Sequence, residues 1–279
     1  MKRYVLFLLF TIFFQAPKGE GKEVYIFVVS PMVSPNITIA TYQEFVRYLS
    51  AKLGKRVILK QRHTYIEVNR MLANGEADFG HVCTGAYLAG HKDFGLTLLA
   101  IPVMYGRPYY QAYIIVNSEA PYRRLEDLQG KSFVFTDPLS LTGRLYLLYR
   151  LKRLGTTPEK FFERTFFSYS HDKSIELVAE GVVEGASVDS LVYENLLERK
   201  IHFISKTKVI EKSPLFGIPP LVSSPQSDKD FRIKVLKILL KMDKDLEGKK
   251  ILKKMRIDHF VPPRPELYSY ANYILECSL

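Results

Sequence analysis

The sequence predicts an α/β protein of two lobes, each a mostly parallel sheet flanked by helices, linked by two crossover strands. Three observations lead there. A strand–helix alternation runs from Val24 to Val82. The alternation restarts at Tyr110 and continues to about residue 204. A proline-rich segment, Ser213–Val222, then opens a remainder too short for a third domain, so it is expected to return to the first unit. Lobe 1 is therefore placed over 22–111 plus 213–279, and lobe 2 over 112–212. Crossover strands near 110–113 and 209–213 would form the hinge. Ligands of open α/β sheets sit at the carboxyl ends of strands, which points to the cleft between the lobes.

Each element has its own signal. Val24-Tyr-Ile-Phe-Val-Val29 is a nearly continuous apolar run, as a buried parallel strand requires. After the Ser-Pro loop at 30–35, Ile39, Tyr42, Phe45, Val46 and Leu49 recur at helical spacing, and Gly54 stops that helix. Val57–Leu59 is a second strand. Residues 65–74 are helical, closed by Asn74-Gly75, and Asp78–Val82 is a third strand. In the second unit, strands are expected at 110–116, 132–135, 166–169, 185–188 and 201–204. Helices fall at 142–154, 173–180 and 191–199, with a short turn at 125–130. An amphipathic helix over 228–243 follows the proline-rich return.

Composition narrows the function. The 279 residues are 47% hydrophobic and 25% charged, which excludes a disordered or low-complexity chain. Two cysteines, Cys83 and Cys277, exclude a disulfide-dense scaffold and a four-cysteine metal site, and leave one candidate bridge. The six histidines show no i, i+4 pair, so neither a metal nor another cofactor is expected. A formal charge of +11 favours anionic partners. The excess is spread out, and its clearest cluster, Lys249–Arg256, has the spacing of a solvated helix face.

Lys2 and Arg3 precede a ten-residue apolar run, Val5–Phe14. That is the length of a signal-peptide core and short of the ~20 residues that span a bilayer. Residues 1–21 are read as a signal peptide, with an uncleaved anchor as the alternative. The expected location is periplasmic or secreted, where nucleic acid is not a partner.

The best local chemistry is Phe135-Thr-Asp-Pro-Leu-Ser-Leu-Thr-Gly143. A strand ends, a hydroxyl-rich turn follows and a helix begins. A helix's first turn has unpaired N–H groups and a partial positive charge. Ser140 and Thr142 add hydroxyls, and Gly143 lets a ligand approach the backbone, so the turn suits an oxyanion. The competing role for either hydroxyl is a helix cap. Four further places lie at strand ends or helix heads: His171 in Tyr169-Ser-His-Asp172, Asp189 in Val188-Asp-Ser190, His81 and Thr84 in His81-Val-Cys-Thr84, and Tyr65 after Thr64. Caps and packing compete for all of these. The first-turn acid Asp172 is read as such a cap.

These pieces in order resemble the phosphate, phosphite and phosphonate substrate-binding proteins of ABC transporters, the PhnD-like group with the type II periplasmic-binding fold. The resemblance covers about residues 24–245. It runs through Ala40–Gly54, Tyr65…Asn74-Gly75-Glu-Ala-Asp78, Leu125–Lys131, Asp137–Gly143, Ser170-His-Asp172 and Val188-Asp-Ser190. It implies that Ser140, Thr142 and the backbone of Gly143 grip a phosphorus oxyanion, joined by His171 and Tyr65. Departures are equally specific. Leu141 stands where the family usually has a hydroxyl. His81-Val-Cys-Thr84 replaces an aromatic followed by Gly-Pro, which turns His81 toward the ligand and puts Thr84 in place of proline. Ile218-Pro219-Pro220 lacks the acid expected for an ammonium-tailed ligand, leaving Asp189 to serve it.

The resemblance implies a non-catalytic binding protein, a monomer that captures a small oxyanion and docks on a membrane permease. Two alternatives stand beside it. One is a sensor domain that presents its ligand to a membrane receptor. The other is an enzyme on the same fold, like menaquinone-pathway enzymes acting on small carboxylates, for which Cys83 and His81 would be the candidate pair.

Overall fold

A computed structural model describes residues 22–278. The expected signal segment lies outside the described residues. The chain runs β1 (Val24–Val29), α1 (Pro35–Leu53), β2 (Arg56–Gln61), α2 (Tyr65–Ala73), β3 (Phe79–His81), α3 (Thr84–Phe94), β4 (Thr97–Val103) and β5 (Tyr109–Tyr110). It crosses over into β6 (Ala112–Asn117), β7 (Ser132–Phe135), α4 (Tyr146–Arg153), α5 (Pro158–Phe161), β8 (Arg164–Phe167), α6 (His171–Ala179), β9 (Gly185–Asp189), α7 (Ser190–Glu198) and β10 (Thr207–Lys212). It returns through β11 (Phe216–Gly217), β12 (Leu221–Ser223), α8 (Lys229–Leu239), α9 (Leu246–Met255), β13 (His259–Val261) and α10 (Ser269–Ser278).

Two sheets result. The first has the order β13-β4-β12-β3-β1-β2, so its strands come from both ends of the described chain. The second, β10-β6-β9-β7-β8, is built wholly from the middle. Both are mixed rather than mostly parallel. In the first sheet β1 pairs in parallel with β2 and β3, whereas β12 and β13 join antiparallel. In the second, β7 is parallel to β8 and β9, whereas β6 and β10 are antiparallel to their neighbours. β6, which enters the second lobe, and β12, which returns to the first, each lie between two strands that run the opposite way, so each brings two antiparallel pairings into its sheet.

Local sequence accounts for the frame. Tyr42, Phe45, Val46 and Leu49 form the buried stripe of α1, and Gly54 ends it at φ 67°. Thr64 and Glu67 make a reciprocal capping box on α2. In β3, a Cβ on Gly80 would lie 2.3 Å from the Val28 carbonyl oxygen, so only glycine lets these strands approach so closely. Phe27, Tyr42, Phe45 and Phe79 pack edge-on or tilted in the core beneath α1.

The two crossings lie side by side. Ala112 N–H donates to Ser213 Oγ at 2.8 Å and Ser213 N–H to the Ala112 carbonyl at 2.9 Å, while β5 and β11 pair antiparallel. One buried cluster joins Tyr65, Cys83 and Tyr110 to Leu141, Leu145 and Tyr146 of the middle segment, so the lobes share a core. Helix α10 packs on both α3 and α4, and Lys152 Nζ donates to the Cys277 carbonyl. Cys83 and Cys277 face this shared core as free thiols, and the candidate bridge is not formed. The strand expected at 201–204 is also absent. Ile201 N–H instead closes the end of α7 on the Leu196 carbonyl, a 3₁₀ turn follows over Ile204–Lys206, and the strand starts at Thr207.

Candidate functional site

The hydroxyl turn after β7 folds into a single π turn, Leu141–Leu145, that leads into α4. Ser140 caps it, its Oγ accepting from Gly143 N–H at 2.9 Å. Ser140 thus caps the turn, and accepting this bond leaves its own O–H able to donate. The Gly143 N–H is occupied, so it is not the free backbone donor expected of it. Gly143 answers to packing instead: a Cβ there would lie 2.5 Å from Thr136. Thr142 differs from both. Its carbonyl accepts from Ser187 Oγ at 2.6 Å, but its own Oγ1 is buried with no partner among the described residues.

His171 opens α6 with its ring buried. Asp189 N–H donates to His171 Nδ1 at 3.1 Å. A backbone N–H can only donate, so Nδ1 is the unprotonated nitrogen and the proton sits on Nε2. Burial pushes the imidazole pKa down to about 3, so the ring is neutral at pH 7. Nε2–H is thus a buried donor, and it too has no partner among the described residues.

Tyr65, at the head of α2, is fully buried. Its N–H donates to Asp137 Oδ2 at 3.0 Å across the lobe boundary, and its hydroxyl is unpartnered. Tyr110, on the crossover, is buried with an unpartnered hydroxyl as well. Sequence reasoning did not select it, although it lies beside the hinge. Asp189 is near enough to Tyr65 and Tyr110 to raise both phenol pKa values after burial has done so. Its Oδ1 caps α7 by accepting from Leu191 and Val192 N–H groups at 2.7 and 3.4 Å. Burial pushes the Asp189 carboxyl up to about 7.

Two other candidates are already satisfied. Thr84 donates to the Gly217 carbonyl at 2.8 Å, which ties α3 to the return strand. His81 has both nitrogens engaged: Nδ1 with the Tyr42 hydroxyl at 2.5 Å and Nε2 with the Pro219 carbonyl at 3.0 Å. Burial lowers its pKa to about 4. His81 lines the interlobe cleft but has no free donor, contrary to the expectation that it turns to a ligand. Nor does it activate Cys83, whose thiol burial pushes up to about 11.

The lobes are held together by two acids, of which the sequence marks only Asp172, and that as a local cap. Asp172 accepts from Ser34 N–H at 3.0 Å and from the Ser34 hydroxyl, and Ser34 is the residue preceding α1. Asp137 does the same at the head of α2. Two carboxylates of the middle segment therefore sit at helix N-termini of the opposite lobe, where the helix dipole favours negative charge. Burial raises the Asp137 pKa, and the Tyr65 and Leu139 N–H groups oppose that rise. The approach is close: a Cβ on Gly85 would lie 2.2 Å from the Leu139 carbonyl oxygen. Gly85→Ala favours the helix by about 1 kcal/mol yet blocks this contact. The expected result is a folded protein with a larger radius of gyration by small-angle scattering. An unchanged radius would show that the lobes adjust without parting.

Among the described residues, seven buried side-chain polar atoms lack partners, and four belong to Tyr65, Tyr110, Thr142 and His171. Buried polar groups are normally bonded, so four unpartnered ones on segments from both lobes stand out.

Residues 27–268 match the family described as ABC transporter, phosphonate, periplasmic substrate-binding protein. The phosphonates-binding periplasmic protein of Escherichia coli K12 is 27% identical over 154 residues, 54% of this chain and 45% of that protein, so the matched stretch spans about half the relative's length. Two crystal structures share the fold. The binding protein component of a Pseudomonas aeruginosa ABC phosphonate transporter superposes with TM-score 0.82 at 24% identity, covering 86% of this chain and 81% of that one. PhnD1 of Prochlorococcus marinus, in complex with methylphosphonate, superposes with TM-score 0.82 at 19% identity, covering 90% and 97%.

Proposed function

This chain belongs to the family of periplasmic phosphonate-binding proteins of ABC transporters, and from that premise we propose that it captures a small phosphorus oxyanion and delivers it to a membrane permease. The observation that carries this reading is the set of unpartnered buried groups on Tyr65, Tyr110, Thr142 and His171. Three hydroxyls and a neutral Nε2–H offer donors to oxyanion oxygens in a dry site, where charge-assisted hydrogen bonds are strong. The site is neutral rather than cationic, so affinity comes from oriented donors. Asp189 adds discrimination. As a carboxylate it repels a bare dianion and attracts an ammonium tail; as an acid it donates.

The protein acts in the periplasm, as a binder without a catalytic step. Cys83 and His81 do not form a nucleophile–base pair, which agrees with that role. Ligand release requires parting the Ser34–Asp172 and Tyr65–Asp137 contacts, the motion of a hinged two-lobe receptor.

Calorimetric titration of residues 22–279 with phosphate, phosphite, methylphosphonate, 2-aminoethylphosphonate and sulfate tests the assignment. Sub-millimolar binding of a phosphorus oxyanion, lost in Thr142→Val/His171→Leu, is the expected result. Heat from sulfate alone, or from none of the five, refutes it.

A further inference from the structure

A cleft of about 1130 Å³ extends from Asp189 between α1 and α9 on one side and α7 on the other. The proposed oxyanion donors are not on its wall; Asp189 lines it and donates its N–H to His171 Nδ1 at 3.1 Å. A phosphonate with a single methyl has five non-hydrogen atoms and fills on the order of 100 Å³, judged from the ~30 Å³ share of a water. The cleft is about ten times that and matches the size of pockets that hold organic ligands, ~300–1,000 Å³.

Contacts between the lobes flank it. His171 N–H donates to the Met32 carbonyl at 2.9 Å near one end, and Arg256 Nη1 lies 3.1 Å from Glu198 at the other. The cleft is thus bounded while the lobes are in contact. Its inner wall is apolar, with Val33, Ile37, Leu191, Val192 and Ile218. Ser30, fully buried on the same wall, keeps a hydroxyl with no partner among the described residues.

The outer rim is cationic. Lys254 pairs with Glu44 and Arg256 with Glu198. Arg47, Arg199, Lys250 and Lys253 also line it and form no salt bridge among the described residues, against one further rim acid, Glu247. Arg256 ends α9 in a left-handed backbone, φ 61°, with its N–H bonded back to the last turn of the helix.

We propose that the chamber receives the organic tail of the phosphorus ligand: a mostly apolar chain, several carbons long, that ends in a second anionic group at the Arg47–Lys250–Lys253 rim. This rests on the oxyanion reading and specifies its substrate class. The head bonds to the donors beyond Asp189. The tail passes Asp189, displaces water from the apolar wall and pairs its terminal charge with cations that form no salt bridge among the described residues.

The test compares methylphosphonate, hexylphosphonate and 6-phosphonohexanoate by calorimetry on the wild type, Ile37→Trp and Lys250→Glu/Lys253→Glu. The wild type is expected to bind 6-phosphonohexanoate at least tenfold tighter than methylphosphonate. Ile37→Trp, which fills the chamber from α1, should remove that gain and leave methylphosphonate within about twofold. The charge reversal should weaken 6-phosphonohexanoate and spare hexylphosphonate. Methylphosphonate binding with no gain from either tail overturns the chamber proposal and leaves the oxyanion site standing, as does equal weakening of all three ligands by Ile37→Trp. Failure of all three to bind the wild type overturns both.

Discussion

Thr142→Val, Tyr65→Phe and Tyr110→Phe are each expected to make the ligand-free protein more stable and to bind the oxyanion worse. The two effects share one cause. Each substitution removes a buried hydroxyl that has no partner among the described residues and keeps the shape of the side chain. An unsatisfied buried polar group costs about 1–3 kcal/mol, so its removal should raise stability by an amount of that order. At this chain length, 1 kcal/mol moves the melting temperature by about 2–4 °C. In the complex the same hydroxyl donates to a charged oxygen, a bond of about 1.5–3 kcal/mol, so affinity should fall roughly 10- to 100-fold. Thermal melts with and without ligand, read beside calorimetry, decide the matter. A residue with a purely structural role would lose stability and leave affinity alone. That pattern at Thr142 would sink the assignment of the turn after β7.

How much of this was legible in the sequence follows from which interactions are local. The β1, α1, β2 and α2 signals lie within single segments, and Gly54 and Thr64 mark ends where they act. Helix α3 and strand β4 carry no clear local signal. Gly85 and Gly90 weaken the helical signal of α3, yet both positions exclude a side chain for lack of space, so tertiary packing overrides propensity there. Pro102 breaks the apolar run of β4 and is tolerated because β4 meets only the short strand β13 on that side. The apolar run at 201–204 misled in the opposite direction, because its residues close α7 instead of joining a sheet.

At the site, the strand-end hydroxyl turn was readable because its chemistry sits in nine consecutive residues. What distinguished Thr142 from Ser140 was not. That depended on which hydroxyl the Gly143 N–H selects. The partners of His171, Asp137 and Asp172 are 18, 72 and 138 residues away, and no local pattern encodes them. His81 shows the reverse case. A histidine at a strand end in a cleft suggests a ligand contact, and only the positions of Tyr42 and Pro219 reveal that both nitrogens are engaged.

Asp189→Asn carries the largest pH effect. The Asp189 carboxyl is raised from 3.8 to about 7 by burial, with the Leu191 and Val192 N–H bonds opposing the rise. The unfolded chain therefore loses this proton near pH 4 and the folded protein near pH 7. Between those values the folded state binds more protons, so stability falls as pH rises through the window and levels off above about 7. The slope corresponds to about 1.4 kcal/mol per pH unit, a few kcal/mol in all. Asparagine still accepts from the α7 N–H groups and caps helices as well as aspartate. Asp189→Asn should thus match the wild type near pH 4 and exceed it by a few kcal/mol at pH 8, giving a flatter denaturation profile. Binding should respond in the same window. Wild-type affinity for methylphosphonate should weaken from pH 6 to 8 relative to Asp189→Asn, since ionised Asp189 faces the anion. For 2-aminoethylphosphonate the order reverses, because the variant loses the partner of the ammonium group. Parallel denaturation curves for the two proteins across pH 4 to 8 would show that Asp189 titrates as an ordinary carboxylate. Its part in choosing between bare and ammonium-tailed ligands would then fall with it.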